Sequence, residues 1–388
     1  MLYWVIREGN ALVKVPALNE AVASHGLEPA WLPVFYNPKM EFNRDLSVIA
    51  LQAYVSWYAP HRPIIAIEPL SATGVRTLRY ALEVEGVMRV YAGDLDYESC
   101  KLIEENVRLN SAWDKVSVYC GDANALMYRL RESKVPVLFI DLDPYGSPAP
   151  FLDSALTLIG SGGLLAATAT DTAVLEGSKS SAALRRYGAV LRRTPHSREV
   201  AVRVLLAFMA RVAATHDKSV EPLLSLWTDY YVRVFIKVER GAKRALKMLE
   251  NNIGYLMFCK DSGYVAFDEE LMKSCSNVER LGPLWVGDLW SVSFVEKIEE
   301  LLHSKFSYIN TKPKLNKILS LIKEELEIQR YPTQRFDLMA SLLKKEVPSR
   351  STLIEKLKNM GFKATRTHFS PLAIRTDADM YSVISAIA

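Results

Sequence analysis

The sequence has no run of about 18 uninterrupted apolar residues, so no membrane-spanning helix is expected. Its opening stretch, MLYWVIREGNALVKVP, carries Arg7 and Lys14 and no long apolar core, so no signal peptide is expected either. Cysteine is scarce. Cys100, Cys120, Cys259 and Cys275 are too few and too scattered for a disulfide scaffold, and a reducing, cytoplasmic setting is the expectation. Charge of one sign is also missing: 48 basic against 44 acidic residues leave a net charge of +4, which permits a nucleic-acid partner without requiring one. Finally, the turn after the first strand of the repeating pattern described below is neither Gly-x-Gly-x-x-Gly nor Gly-Lys-Ser/Thr. That argues against nicotinamide and P-loop nucleotide sites, which need backbone to cradle phosphate.

What is present is an alternation. Short apolar runs PIIAIEPL (63–70), MRVYAGDLD (88–96), KVSVYCGDA (115–123) and VPVLFIDLDPYG (135–146) alternate with stretches of helical spacing. GGLLAATATDT (162–172) adds a fifth run. Strands alternating with helices predict an α/β fold with a parallel sheet covered on both faces. With 388 residues the chain exceeds a single core of roughly 250–300, so a second domain is expected.

Four of these runs end in acids: Glu68, Asp94, Asp122, and the pair Asp141 and Asp143. Each could simply cap the helix that follows. As a set at the carboxyl edge, where such sheets bind ligands, they favour a site that reads hydroxyls, amines and amides. An acid after the second strand suits a ribose diol, and Asp122–Ala123 after the third suits an adenine edge. With no phosphate to cradle, this is the layout of an S-adenosylmethionine site. The DPYG stretch 143–146 resembles the (D/N/S)-PP-(Y/F) loop of amino-group methyltransferases. There a carboxylate or amide oxygen and a proline carbonyl accept the two N–H bonds of an exocyclic amine, and the ring stacks on the base. The four residues alone satisfy an ordinary type I turn.

Longer stretches decide between the two. VFYNPKMEFNRDLS (34–47), EPLSATGVRTLRYA (68–81), DLDPYGSPAPFLDSAL (141–156), TATDTAVLEG (168–177), ALRRYGA (183–189), YYVRVFIKVERGAKRA (230–245), GPLWVGDLW (282–290) and RTHFSPLAIRTDA (366–378) resemble, in order, the tRNA guanine-26 N2-dimethyltransferase family in its short, archaeal-type form. The resemblance spans nearly the whole chain. It implies a class I Rossmann-like S-adenosylmethionine-dependent methyltransferase domain over 1–258 and a smaller α+β, tRNA-binding domain over 259–388. The implied reaction transfers one or two methyl groups from S-adenosyl-L-methionine to N2 of guanine 26. Another RNA or DNA base as target, and a tRNA-binding chaperone on a degenerate fold, are the alternatives.

Carried over position by position, Arg44 and Arg76 contact the methyl donor, Asp94 its ribose, and Asp122 with Ala123 its adenine. Asp143, Pro144 and Tyr145 form the catalytic loop, and Phe35 and Tyr145 stack on the base. Many relatives carry two Cys-x-x-Cys pairs where this chain keeps only Cys259 and Cys275, with no histidine between them. Two thiolates do not complete a four-coordinate site, so no structural zinc is expected. The lysines at helical spacing in 304–332, and a helix–turn–helix–extended pattern over 332–371 like a winged helix, suggest a tRNA-backbone surface together with RTHFSP and RRYG. A monomer is expected.

Overall fold

The computed structural model describes residues 2–17, 32–58, 63–273 and 275–388. The chain forms two compact units. The first comprises Met1–Thr168, Phe235–Arg240 and Glu296–Asn316, and the second Ala169–Val234, Gly241–Val295 and Lys317–Ala388. This departs from the single cut expected at residue 258. The sequence pattern marks where elements begin and end, but not which unit a later strand or helix returns to.

The first unit opens with a hairpin, β1 (Tyr3–Glu8) and β2 (Ala11–Pro16), paired from Tyr3↔Pro16 to Glu8↔Ala11. Its turn needs glycine, because Gly9 has φ 55° and a Cβ there would lie 2.3 Å from the Glu83 carboxylate. Then come α1 (Glu41–Tyr58), β3 (Ile64–Glu68), α2 (Val75–Glu83), β4 (Val87–Asp94), α3 (Tyr97–Leu109), β5 (Val116–Cys120), α4 (Ala123–Glu132), β6 (Phe139–Leu142), α5 (Leu152–Leu158) and β7 (Gly163–Ala169). The central sheet is ordered β5-β4-β3-β6-β7, followed by β9 (Tyr231–Arg240) and β8 (Lys218–Thr228). Its first five strands pair in parallel, with Glu68 opposite Ala92 and Ile67 opposite Ile140. The largely apolar runs of β3, β6 and β7 are buried on both faces, as a helix-covered parallel sheet requires. Every residue of α1 from Phe42 to Val55 is buried, Asn43, Arg44, Asp45 and Ser47 included. A helix that buries polar groups all round must pair them inside, and it does so around the candidate site.

The second unit carries α6 (Thr172–Leu175), α7 (Ser180–Tyr187), α8 (Ser197–Ala214), α9 (Ala242–Asn252), β10 (Ile253–Cys259), β11 (Val265–Ala266) and β12 (Val278–Trp285). The chain continues through α10 (Val292–His303), α11 (Lys312–Glu325), β13 (Thr333–Gln334), α12 (Phe336–Leu342), α13 (Arg350–Asn359), β14 (Ala364–Arg366), β15 (Ile374–Thr376) and α14 (Met380–Ile387). Two three-stranded sheets, β11-β10-β12 and β13-β15-β14, pair antiparallel. One apolar cluster, including Met257, Phe336, Leu353, Leu357, Ile374 and Val383, packs this unit's end. In the same unit Arg375, fully buried, holds Glu199 at 2.9 Å and Glu325 at 2.8 Å, and Arg203 also pairs with Glu199.

All four cysteines are paired, although their small number and scatter gave no expectation of a disulfide scaffold. Cys100 joins Cys120 and Cys259 joins Cys275 across sequence separations of 20 and 16 residues. Spacing hid this. The fold brings the pairs to Cα separations of 5.7 and 5.9 Å, inside the range a disulfide needs. Compartment does not follow, since intracellular proteins of hyperthermophiles also carry disulfides. Among the described residues no helix is long and apolar enough to cross a membrane.

Candidate active site at the carboxyl edge of the parallel strands

The loop after β3, SATG, turns through two residues with positive φ, Ala72 at 49° and Gly74 at 73°, before α2 begins. It lies against β4, where Ser71 N–H donates to the Gly93 carbonyl at 2.8 Å. Only glycine fits at position 93. A Cβ there would sit 2.9 Å from Leu126 and 3.1 Å from the Pro69 carbonyl. One residue on, Asp94 accepts from the Ala72 N–H at 2.8 Å and from the Asp96 N–H at 3.0 Å. Burial pushes its carboxyl above the usual range, against those amide bonds. Asp94 therefore fastens the loop and stands at the strand end with lone pairs left over. Asp122 caps α4 by accepting from Ala125 N–H at 2.9 Å, so the capping reading holds for this acid; Ala123 beside it is buried.

Arg76, in the first turn of α2, is the centre of the site. It is 2 % exposed. Its Nε lies 3.2 Å from Glu68, and Nη1 donates to Asn43 at 2.9 Å, to Ser47 at 2.8 Å and to Asp141 at 3.3 Å. Nη2 pairs with Asp143. Burial opposes its charge, but Asp143 and Asp141 hold the guanidinium well above its ordinary pKa. Three carboxylates around one arginine leave two in excess. Burial, with Asp141 and Asp143 adding to it, moves the Glu68 carboxyl up to about 7 although Arg76 and Thr77 bond it. Asp141 is fully buried and also accepts from the Tyr80 hydroxyl at 2.5 Å, a structural role. Asp143, one pleat further out, is partly exposed. Pro144 is buried and Tyr145 is 79 % exposed, so a stiff loop presents its ring to solvent. Phe35 is also exposed.

Arg44 is buried rather than on a solvated helix face. It grips Glu8 through two 2.6 Å hydrogen bonds and lies over the Tyr36 ring. Burial works against the charge of Glu8, but Arg44 and Arg79 hold its carboxyl below the ordinary range. Arg79, one turn after Arg76, binds Glu8, Asp45 and Glu83. Both arginines expected to meet the methyl donor thus already carry carboxylates of this chain. On Arg76 the bonds named above engage Nε, both Nη1 hydrogens and one of Nη2. Arg76 and Asp143 meet as an ion pair, Asp94 stands separately at the end of β4, and Glu8, Asn43, Ser47 and Tyr80 join the networks of Arg44, Arg76 and Asp141. Asn43 and Ser47 flank Arg44 one helical turn apart inside EFNRDLS, a signal that could have been read. Nothing local marks Glu8.

A family model described as N2,N2-dimethylguanosine tRNA methyltransferase matches residues 9–388. The chain belongs to this family. A relative from Aeropyrum pernix, named tRNA (guanine(26)-N(2))-dimethyltransferase, is 41 % identical over 99 % of this chain and 96 % of its own length. One of the same name from Sulfurisphaera tokodaii is 35 % identical over 98 % of each chain. The solved structure of Trm1 from Pyrococcus horikoshii, a complex with S-adenosyl-L-methionine, superposes with a TM-score of 0.85 at 31 % identity and covers both chains completely. The central sheet is accordingly that of a Rossmann-like methyltransferase, with a smaller sheet-containing C-terminal portion.

Proposed function

We propose that the protein transfers methyl groups from S-adenosyl-L-methionine to the exocyclic N2 of guanine 26 in tRNA. The observation that carries this is Asp143, pinned by Arg76 at the end of β6 beside an exposed Tyr145, at the sheet edge where Asp94 also stands. The donor set fits the methyl donor: a strand-end carboxylate for a diol, a tight SATG turn packed on Gly93 with no phosphate cradle, and a capping acid beside small Ala123 for an adenine edge. When bound, S-adenosyl-L-methionine supplies a methyl group on a sulfonium centre. Asp94 would hold the ribose, Asp122 and Ala123 the adenine, and Arg44 and Arg76 the donor carboxylate through whatever N–H capacity their own carboxylates leave.

The residues of this chain supply the rest. The N2 amine is conjugated to the ring and is a poor nucleophile. Asp143 accepts one of its N–H bonds, the Pro144 carbonyl the other, and the lone pair is thereby oriented. Asp143 is also placed to take the proton that leaves as the new N–C bond forms. Tyr145 stacks on the base, with Phe35 toward its other face. The base must leave its stack to reach this pocket. Cys259 and Cys275, joined to each other, offer no thiolate to zinc, which supports a second unit packed without a structural metal. A monomeric, cytoplasmic enzyme is part of the same reading.

The test is nucleoside mass spectrometry of a tRNA transcript incubated with protein and donor. N2-methylated guanosine is expected from a transcript with guanine 26 and none from one with adenine there. Equal methylation of both would overturn the assignment of the target. The donor site has its own test. Asp94→Ala should raise the donor dissociation constant roughly 10- to 150-fold by calorimetry, as loss of a charge-assisted hydrogen bond of about 1.5–3 kcal/mol predicts. Unchanged affinity would remove Asp94 from the ribose.

A further inference from the structure

The second unit contains a cavity of about 350 Å³ lined by Lys317, Ser320, Arg350, Arg366, Thr367 and His368, among others. Its electrostatics are one-sided. Arg366 pairs with Glu324, but neither Lys317 nor Arg350 pairs with a carboxylate among the described residues. Arg350 opens α13, whose first turn carries no acid. A cation at the positive end of a helix is unfavourable unless an anion sits nearby. A third observation is independent of these. The His368 side chain is 1 % exposed and its Nδ1 lies 2.8 Å from Glu325, which fixes the ring. His368 lines the same cavity, so this part of its wall is held in place before any ligand binds.

We propose that this cavity binds a phosphodiester of the RNA backbone, with Lys317, Arg350 and Arg366 toward the phosphate oxygens and the adjoining sugar against the wall that His368 helps to form. The inference rests on the reading of the protein as a tRNA methyltransferase and assigns part of the RNA to a defined place. The volume admits a phosphate with its sugar, and the cations outnumber what the unit's own acids neutralise there. Backbone contacts of this kind fix where an RNA lies without reading its sequence.

The experiment uses the full chain and a tRNA transcript, with dissociation constants measured by fluorescence anisotropy across a salt series. The double variant Lys317→Ala/Arg350→Ala is expected to bind tRNA roughly tenfold or more weakly. Its slope of log affinity against log salt should be shallower by about 1–2, since each phosphate contact contributes about 0.7–0.9. Ser320→Glu, which puts a carboxylate into the cavity, should weaken binding in the same direction. Lys273→Ala, an exposed control already paired with Glu270, should change it less than about twofold. Melting curves and calorimetry with S-adenosyl-L-methionine report whether each variant is folded. If the unaltered protein binds no tRNA, the functional reading itself fails. If it binds and the cavity variants match it, or lose no more than the control, the cavity assignment alone is overturned. Inorganic phosphate and AMP are titrated separately. Binding of either that the double variant abolishes, with tRNA affinity unchanged, would make this a small-anion site and overturn the proposal.

Discussion

Asp143→Ala is expected to lower single-turnover methyl transfer by about 10²- to 10⁴-fold at saturating donor and tRNA, the range a positioned acid–base group contributes. The structure sharpens this expectation. Asp143 is held by Arg76, which is itself fixed by Asn43, Ser47, Glu68 and Asp141, so the carboxylate has a defined place before any substrate arrives. Donor affinity should move far less, because Asp94 and Asp122 lie on other strand ends and Arg76 keeps Glu68 and Asp141. Asp143→Asn separates two roles. Asparagine keeps one acceptor oxygen at the same position and cannot take the proton. Substantial residual activity in the Asn variant would assign Asp143 to orientation, and a variant as inactive as Ala would assign it to proton acceptance. A fully active Asp143→Ala protein would exclude the loop from the chemistry.

The second large effect is on stability. Arg375→Ala should destabilise the second unit by about 3–5 kcal/mol, because Glu199 and Glu325 would remain buried with a cation removed. Urea unfolding followed by tryptophan fluorescence measures it, and an unchanged midpoint would contradict the account. A pH signature accompanies it. Burial opposes the charge on both acids, but Arg375, with Arg203 on Glu199 and His368 on Glu325, lowers both carboxyls, Glu199 to about 2. An acid depressed in the folded state stabilises above its unfolded pKa of about 4.5 and loses that contribution as pH falls toward the folded value. The intact protein should therefore lose stability between pH ~4.5 and ~2, and the variant should show a weaker slope there.

The acidic carboxyl edge was legible in sequence because each of its acids follows an apolar run short enough to be a buried strand. Asp94, Asp141 and Asp143 had to emerge at the same side of a parallel sheet once the alternation was recognised. The partner of an arginine is a different matter. The family resemblance makes Arg44 and Arg76 contacts for the donor, yet Glu8 lies 36 residues before Arg44, and Asp143 lies 67 after Arg76. Periodicity places a side chain on a face and says nothing about which distant carboxylate meets it there. The cysteine pairs escaped for the same reason, being contacts between the fold's neighbours and not the sequence's. Asp122 shows a further limit: a cap and a ligand contact use the same residue type at the same position, and the pattern alone could not separate them.

The first unit is assembled from three separate stretches of chain, the last being Glu296–Asn316. That stretch supplies Tyr308 to Glu83 at 2.8 Å and Thr311 to Asp45 at 2.5 Å. During synthesis, then, the nucleotide-fold portion is unfinished when Thr168 emerges. At about 5–20 residues per second, roughly 150 further residues delay its completion by about 8–30 s. A fragment ending near residue 258 is frozen in that unfinished state, with the carboxylates of Asp45 and Glu83 lacking their last two partners.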